Sequence, residues 1–316
     1  MFLKELTIPH HLAKQRIDKA LSALLPEESR TQIQRWIRSG HVCLNQIVIK
    51  KIDVKVEELD QIDIKAPNDV LPSGTHEAEA IPLDIIFEDD FLIVVNKPAQ
   101  LVVHPGAGNA KHTLVNALLY HSPQLNELPR AGLVHRLDKD TSGLLLVAKA
   151  QKAYQILTEN LKARDIHREY RAIAKGIMRL GGQLSAPIGR HRRIRTHMAV
   201  RDDGKPATTH YRILKTFQAH TYLSITLETG RTHQIRVHMA HLHHPLLGDP
   251  TYGKHINPKS HLPDKVLKIL QTFKRQALHA YHLQLKHPIT QKKLEFTAPL
   301  PEDFKQLLQT LSKVDY

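Results

Sequence analysis

The segment Gly132-Leu133-Val134-His135-Arg136-Leu137-Asp138-Lys139-Asp140-Thr141-Ser142-Gly143 runs directly into Leu144-Leu145-Leu146-Val147-Ala148. An apolar run of that kind reads as a buried strand. Ahead of it lies the turn-prone Pro129-Arg130-Ala131-Gly132. A surface turn is the ordinary reading of Asp-Lys-Asp. Here apolar neighbours draw Arg136 and Asp138 inward, where charges need partners. A dense polar loop clamped between buried segments is where a scaffold holds chemistry.

Around this strand, apolar and polar stretches alternate irregularly. Ile85–Phe87, Leu92–Val95, Leu101–Val103, Tyr170–Ala174, Tyr211–Leu214 and Tyr222–Leu227 read as strands. Thr113 is placed to cap a helix carrying Leu114, Ala117 and Leu118, and a second helix is expected from Tyr154 to Leu161. Short turns between consecutive strands favour a mixed, mainly antiparallel sheet and an α+β fold. Neither G-x-x-x-x-G-K nor G-x-G-x-x-G occurs, so no nucleotide cofactor is indicated.

The amino-terminal part reads as a separate small α/β unit over residues 1–66. Leu12, Ile17, Ala20, Leu21, Leu24 and Leu25 follow helical spacing, and Pro26 stops that helix. Ser29 with Gln32 forms a capping box for a helix bearing Ile33, Trp36 and Ile37, and Gly40 fits its end. Val42 and Leu44, then Ile47 and Ile49, alternate as a hairpin about Asn45-Gln46, and Ile62 and Ile64 give a last strand. No acid occurs from Ser29 to Ile52, whereas Arg30, Arg35, Arg38, Lys50 and Lys51 do. That segregation favours phosphate binding over a merely solvated helix face. Residues 67–80 have a linker's composition, and residues 81–316 form the second unit.

The net charge of +14 over 316 residues favours a polyanionic partner, nucleic acid before membrane. Cys43 stands alone, which excludes an internal disulfide and any multi-cysteine metal site. No apolar run approaches the roughly 20 residues that cross a bilayer. Met1–Glu5 lacks the core of a secretory signal. A cytoplasmic location and a monomer are expected.

Four further stretches look purposeful: Asn96-Lys97-Pro98 with Val103-His104-Pro105-Gly106; Arg168-Glu169-Tyr170; Gly230-Arg231-Thr232-His233-Gln234-Ile235-Arg236-Val237-His238; and Arg275-Gln276-Ala277-Leu278-His279-Ala280. Together with His135-Arg136-Leu137-Asp138-x-x-Thr141-Ser142-Gly143, they resemble the pseudouridine synthases that modify ribosomal and transfer RNA. The amino-terminal unit resembles the small RNA-binding domain named after ribosomal protein S-four. That family usually has glycine after the hairpin asparagine; Gln46 stands there instead, and a looser turn is expected.

The resemblance implies a reaction with no cofactor and no metal. A uridine's glycosidic bond breaks, the uracil turns over, and its carbon 5 joins the ribose. It implies Asp138 as the essential catalytic residue, Arg236 as its basic partner and Tyr170 as the aromatic wall for a flipped base. A fixed guanidinium would hold the carboxylate and favour its charged form. Leu278 is expected as a further wall of the pocket, with core packing as the alternative. Arg136 is expected to fill the gap left by the flipped nucleotide or contact its backbone, with a structural ion pair as the alternative. Asp140 ranks below Asp138. The run Arg190-His191-Arg192-Arg193-Ile194-Arg195 continues to Arg201 without an acid and is read as a grip on RNA phosphates. The implied partner is large-subunit ribosomal RNA or a ribosomal particle, with the helix 69 loop of 23S RNA as target. Other ribosomal or transfer RNA sites stay open as alternatives.

Two rival classes are also open. One is a non-catalytic RNA-binding assembly factor, which would not need Asp138. The other is a metalloenzyme or hydrolase built on His238, His241, His243 and His244, or on Ser142. Neither H-E-x-x-H nor G-x-S-x-G accompanies those residues.

Overall fold

The computed structural model describes residues 2–25, 28, 30–66, 77–106, 109, 111–253 and 264–313. The chain divides into two units, Met1–Leu71 and Pro72–Tyr316. The expected capping box at Ser29 and the stop at Pro26 lie outside the described residues, as do residues 67–76 of the expected linker. Its last residues belong to the second unit: Asn116 donates to the Glu77 carbonyl at 2.7 Å, and His112 N donates to the Glu79 carboxylate at 2.8 Å.

The first unit holds β1 (Phe2–Thr7), α1 (Ile17–Leu24), α2 (Arg30–Arg38), β2 (Val42–Leu44), β3 (Ile47–Ile49) and β4 (Gln61–Ala66). Its antiparallel sheet has the order β1-β4-β2-β3. The first strand was not foreseen, because a lone six-residue segment carries little periodicity. Leu12 sits in a 3₁₀ turn ahead of α1 instead of within it. The stripes Ile17, Ala20, Leu21 and Ile33, Trp36, Ile37 meet the sheet's Val42, Ile62 and Ile64 in one core. Gly40, at φ +77°, ends α2 as expected.

The β2–β3 hairpin corrects the expected loose turn. Leu44 faces Ile47 directly, and Asn45 and Gln46 both take positive φ, 49° and 68°. That is a tight two-residue turn. Asn45 holds it by donating to Asp60 and accepting from Gln61 N, each at 2.8 Å. These tertiary bonds impose the geometry that glycine would otherwise ease.

The second unit runs β5 (Ile85–Glu88), β6 (Leu92–Lys97), α3 (Leu114–His121), β7 (Ser142–Ala148), α4 (Gln151–Ala163), β8 (His167–Lys175), β9 (Gly182–Ser185), β10 (Ile188–Arg190), β11 (Met198–Val200), β12 (Thr208–Thr216), β13 (His220–Leu227), α5 (Gln234–His241), α6 (Asp264–Thr272), β14 (Leu278–Lys286), β15 (Lys293–Thr297) and α7 (Glu302–Ser312). The main sheet follows β5-β6-β7-β14-β8-β13-β12-β9, with β15 on the outer half of β14. Among the described strands of this sheet only β7 and β14 pair in parallel, so the sheet is mixed and mainly antiparallel. Leu101–Val103 is not a strand; Val102 makes one isolated bridge to Thr113.

Every residue of β7 is buried. Leu145 and Val147 face a core with Leu114 and Leu118 of α3, while Leu144 and Leu146 face Ala153 and Leu157 of α4. A strand covered on both faces has no polar side, hence the continuous apolar run. Burial of each large aliphatic side chain here contributes roughly 1.5–3 kcal/mol.

Candidate active site

Two glycines frame the loop before β7. Gly132 has φ +75°, and a Cβ there would stand 2.0 Å from the Ala148 carbonyl oxygen. Gly143 has φ +110°, and a Cβ would stand 2.1 Å from the Ala280 carbonyl oxygen. No other residue fits so close to a backbone. Between them the loop is pinned through three successive carbonyls. Thr141 N donates to the Asp138 carbonyl at 3.1 Å, Lys97 Nζ to that of Lys139 at 2.9 Å, and Arg275 Nη1 to that of Asp140 at 3.2 Å.

Lys97 is 1 % exposed and also donates to the carbonyls of Pro98 and Leu101. Burial pulls its pKa down to about 7, against the opposing pull of Asp140 and Asp138. His135 accepts from Leu146 N through Nε2 at 3.0 Å, which fits a neutral ring; burial, aided by Arg168, pulls its pKa to about 3.

The pinned loop presents Asp138 to a cleft of about 810 Å³. Tyr170, Arg236, Leu278 and Arg136 line the same cleft, and Asp140 does not. Tyr170 and Leu278 are buried, as cleft walls within the main core, whereas Arg136 is exposed. That corrects the inward placement expected for Arg136: Leu137 takes the buried position beside it.

Arg236 Nη1 donates to Asp138 Oδ2 at 2.9 Å, while Nε and Nη2 grip Asp249 at 2.7 and 2.9 Å. Asp249 is wholly buried and also accepts from Thr251 N and Tyr252 N. Burial alone would raise the Asp249 pKa; Arg236 and the two amides bring it below the ordinary value. Burial likewise opposes the charge on Arg236, and the two carboxylates more than restore it. The guanidinium is therefore a fixed cation whose orientation a bidentate buried acid sets.

Asp138 keeps its second oxygen open. His233 Nε2 lies 3.9 Å from Oδ1. His233 is held below its ordinary pKa by burial, against the pull of Asp138, and its Nδ1 lies 2.8 Å from Tyr252 Oη. Burial therefore favours the uncharged ring. The site thus offers one carboxylate oxygen clamped by a guanidinium and one facing the cleft, which suits nucleophilic or basic chemistry.

Other expected site residues lie elsewhere. Arg190, Arg192, Arg193 and Arg195 are exposed on the β10–β11 hairpin and do not line the cleft. Arg30, in the first unit, is spent on Asp18, donating at 3.1 and 2.7 Å. Arg38, Lys50 and Lys51 are exposed there, and Arg35 is half-buried. Ser142 bonds His279 at 2.9 Å, but both are buried and tie β7 to β14, so they form no hydrolase site. His238 is spent on Thr209 and the Ala186 carbonyl, and His244 on the Lys175 carbonyl. Among the described residues no group of three His, Cys, Asp or Glu side chains is arranged to hold a metal. Asp249, Lys97 and His233 were missed as site residues. Asp249 lies in Gly248-Asp249-Pro250, which reads as an ordinary turn.

Comparison with known proteins gives this geometry its context. The family described as RNA pseudouridylate synthase matches residues 91–241, and the S4 domain family matches residues 15–62. The ribosomal large subunit pseudouridine synthase D of Haemophilus influenzae is 52 % identical over 302 residues, covering 96 % of this chain and 92 % of the relative. Its namesake from Escherichia coli strain K12 is 48 % identical over 305 residues, covering 96 % and 93 %. A solved structure of human RNA pseudouridylate synthase domain containing 4 aligns with a TM-score of 0.57 at 26 % identity, covering 72 % of this chain and 92 % of that one. With relatives this similar along nearly its whole length, the chain belongs to the RNA pseudouridylate synthase family of isomerases and carries an S4 domain at residues 15–62.

Proposed function

We propose that this enzyme isomerises uridine to pseudouridine in large-subunit ribosomal RNA, at the helix 69 loop, with Asp138 as its essential carboxylate. The observation that carries the reading is Asp138 on a pinned loop, with one oxygen held by Arg236 and the other turned to the cleft. The similarity to ribosomal large subunit pseudouridine synthases supports the RNA class. Base flipping costs a few kcal/mol and least in a loop, which favours a hairpin loop as target.

In this reading the target uridine leaves its stack and its base packs on Tyr170 and Leu278. Asp138 acts on the ribose, as nucleophile at carbon 1′ or as base at carbon 2′. The bond from carbon 1′ to N1 breaks and the uracil rotates. Carbon 5 then bonds to carbon 1′ as the Asp138 carboxylate leaves it, or as the 2′ proton is returned, and carbon 5 gives up its proton while N1 takes one. The chain's own residues supply the charge and the walls that these steps need. Arg136, at the cleft mouth, contacts the RNA beside the vacated position. The exposed arginines of the β10–β11 hairpin and Arg38, Lys50 and Lys51 of the first unit grip the phosphate backbone, and Arg30 and Arg35 add to that field. Such an enzyme works in the cytoplasm, where ribosomal RNA is made and assembled.

The test is to incubate unmodified large-subunit RNA with wild-type protein and with Asp138→Asn. Pseudouridine is then mapped by carbodiimide-dependent stops of reverse transcriptase. Stops in the helix 69 loop with wild type, none with the variant, and retained RNA binding by the variant are expected. Undiminished stops with the variant would sink the role of Asp138, and stops only outside that loop would overturn the target.

A further inference from the structure

Three arginines are buried in the second unit among the described residues: Arg168, Arg236 and Arg275, at 8, 5 and 6 % exposed. Arg236 is neutralised by Asp249 and Asp138. Arg275 grips Asp303 through Nε and Nη2 at 2.6 and 2.8 Å. Arg168 has no such partner. Its Nε is shut off from water and meets no acceptor, and among the described residues no carboxylate pairs with its guanidinium. A buried, unpaired cation is costly, so folding alone gives no reason to keep it. It is explained where a ligand brings the missing charge.

The position of Arg168 identifies that ligand. Arg168 lines the same cleft as Asp138. It precedes Tyr170 by two residues on β8, so both side chains leave one face of the sheet. A methyl on Gly230 would stand 3.3 Å from Arg168 Nη1, so the absent side chain lets that loop close over the guanidinium. Arg164 and Lys162, at the end of α4, line the cleft just ahead of it in the chain. Uracil and ribose are neutral; the anion that every nucleotide brings is phosphate.

We propose that Arg168 is a substrate-binding residue that takes a backbone phosphate next to the flipped uridine, seated between the base wall at Tyr170 and the cleft mouth. This rests on the uridine-isomerase reading above. The neighbouring Arg171, on the opposite face, is already committed to Glu169 and to the ring of Tyr281, 4.1 Å away, so it offers no second such site.

The experiment uses the whole chain and an RNA stem-loop containing the target uridine. In separate RNAs the phosphate on the 5′ or the 3′ side of that uridine is replaced by an uncharged methylphosphonate. With wild type, one of the two replacements raises KM about tenfold or more, the usual worth of a charge-assisted bond. Arg168→Gln raises KM by a similar factor on natural RNA and adds nothing on that neutral RNA. Arg168→Lys falls between. Without RNA, Arg168→Gln unfolds at the same temperature as wild type or higher, because an unpaired buried charge is removed.

Losses that multiply instead of merging would overturn the assignment, as would a clear drop in the unfolding temperature of Arg168→Gln, the mark of a structural role. If wild type forms pseudouridine and neither neutral linkage matters, only the Arg168 assignment falls. If wild type forms none on natural RNA, the isomerase reading itself falls.

Discussion

Each unit of this protein joins arginine to buried aspartate, with opposite stoichiometry. In the first unit one acid serves several donors. Asp18, wholly buried, accepts from Arg16 at 3.0 Å, from Arg30 at 2.7 Å and from Gln34 at 2.6 Å. In the second unit one arginine serves two acids, Asp249 in the interior and Asp138 at the cleft. Surplus cations around one carboxylate leave a half-exposed positive rim, which suits a surface that meets phosphates. Surplus carboxylate around one guanidinium leaves a carboxylate oxygen unclaimed, which suits chemistry. In the proposed reading the same ion pair builds a docking face in one place and a reactive group in the other, according to which partner is in excess.

Substitutions that change that balance should break the contrast, and the largest effect belongs to the unclaimed oxygen. Asp138→Asn should lower turnover by roughly 10³-fold or more, the scale of a lost catalytic acid or base. Its thermal midpoint should stay close to wild type, because Arg236 keeps Asp249. A large fall in both would mean that Asp138 is mainly structural. Asp249→Asn should act the other way round. It leaves Arg236 buried with only its cleft-side partner and should cost about 3–5 kcal/mol of stability, read by denaturant unfolding of the second unit. Unchanged stability would show that Asp249 does not hold the guanidinium.

Asp18→Asn should cost the first unit about 1–3 kcal/mol at neutral pH. The chain's one tryptophan, Trp36, lies buried in this unit and reports on it alone. Burial by itself would raise the Asp18 pKa, but Arg30, Gln34 and Arg16 lower it below its ordinary 3.8. The folded state thus holds this proton less tightly than the unfolded chain. The stabilisation is present in full above the unfolded value and is lost as pH falls through the folded one. Urea midpoints of wild type and variant should therefore converge towards pH 3; a constant gap would contradict the lowered value. The smallest effect is Gln46→Gly, which should stabilise the same unit by about 0.5–1 kcal/mol by relieving a side chain at φ +68°. A loss of stability would mean that the Gln46 side chain contributes more than its backbone costs.

Much of this could be read along the chain. The apolar run Leu144–Ala148 identified the central strand, because a strand with both faces covered shows no alternation. Thr113 announced its helix as a cap, and the structure pairs it with Asn116 in a capping box. Other features escaped for equally physical reasons. Val102 and Val103 are as apolar as a strand, yet the chain there turns to bridge Thr113. Arg136 sits between half-buried His135 and buried Leu137 and is still exposed.

Sequence by itself determined local facts: the central buried strand, most of the helices, the glycine that ends the second helix, and which motif carries the aspartate. Only the tertiary structure decided who neutralises whom. Asp138 and Arg236 are 98 residues apart, and Arg275 and Asp303 are 28 apart. Periodicity and propensity act over a few residues, whereas the energy of a buried charge depends on whatever the folded sheet sets beside it. For that reason the resemblance named Asp138 and Arg236, while the Asp249 clamp, the Arg275–Asp303 pair and the unpaired Arg168 emerged only from the fold.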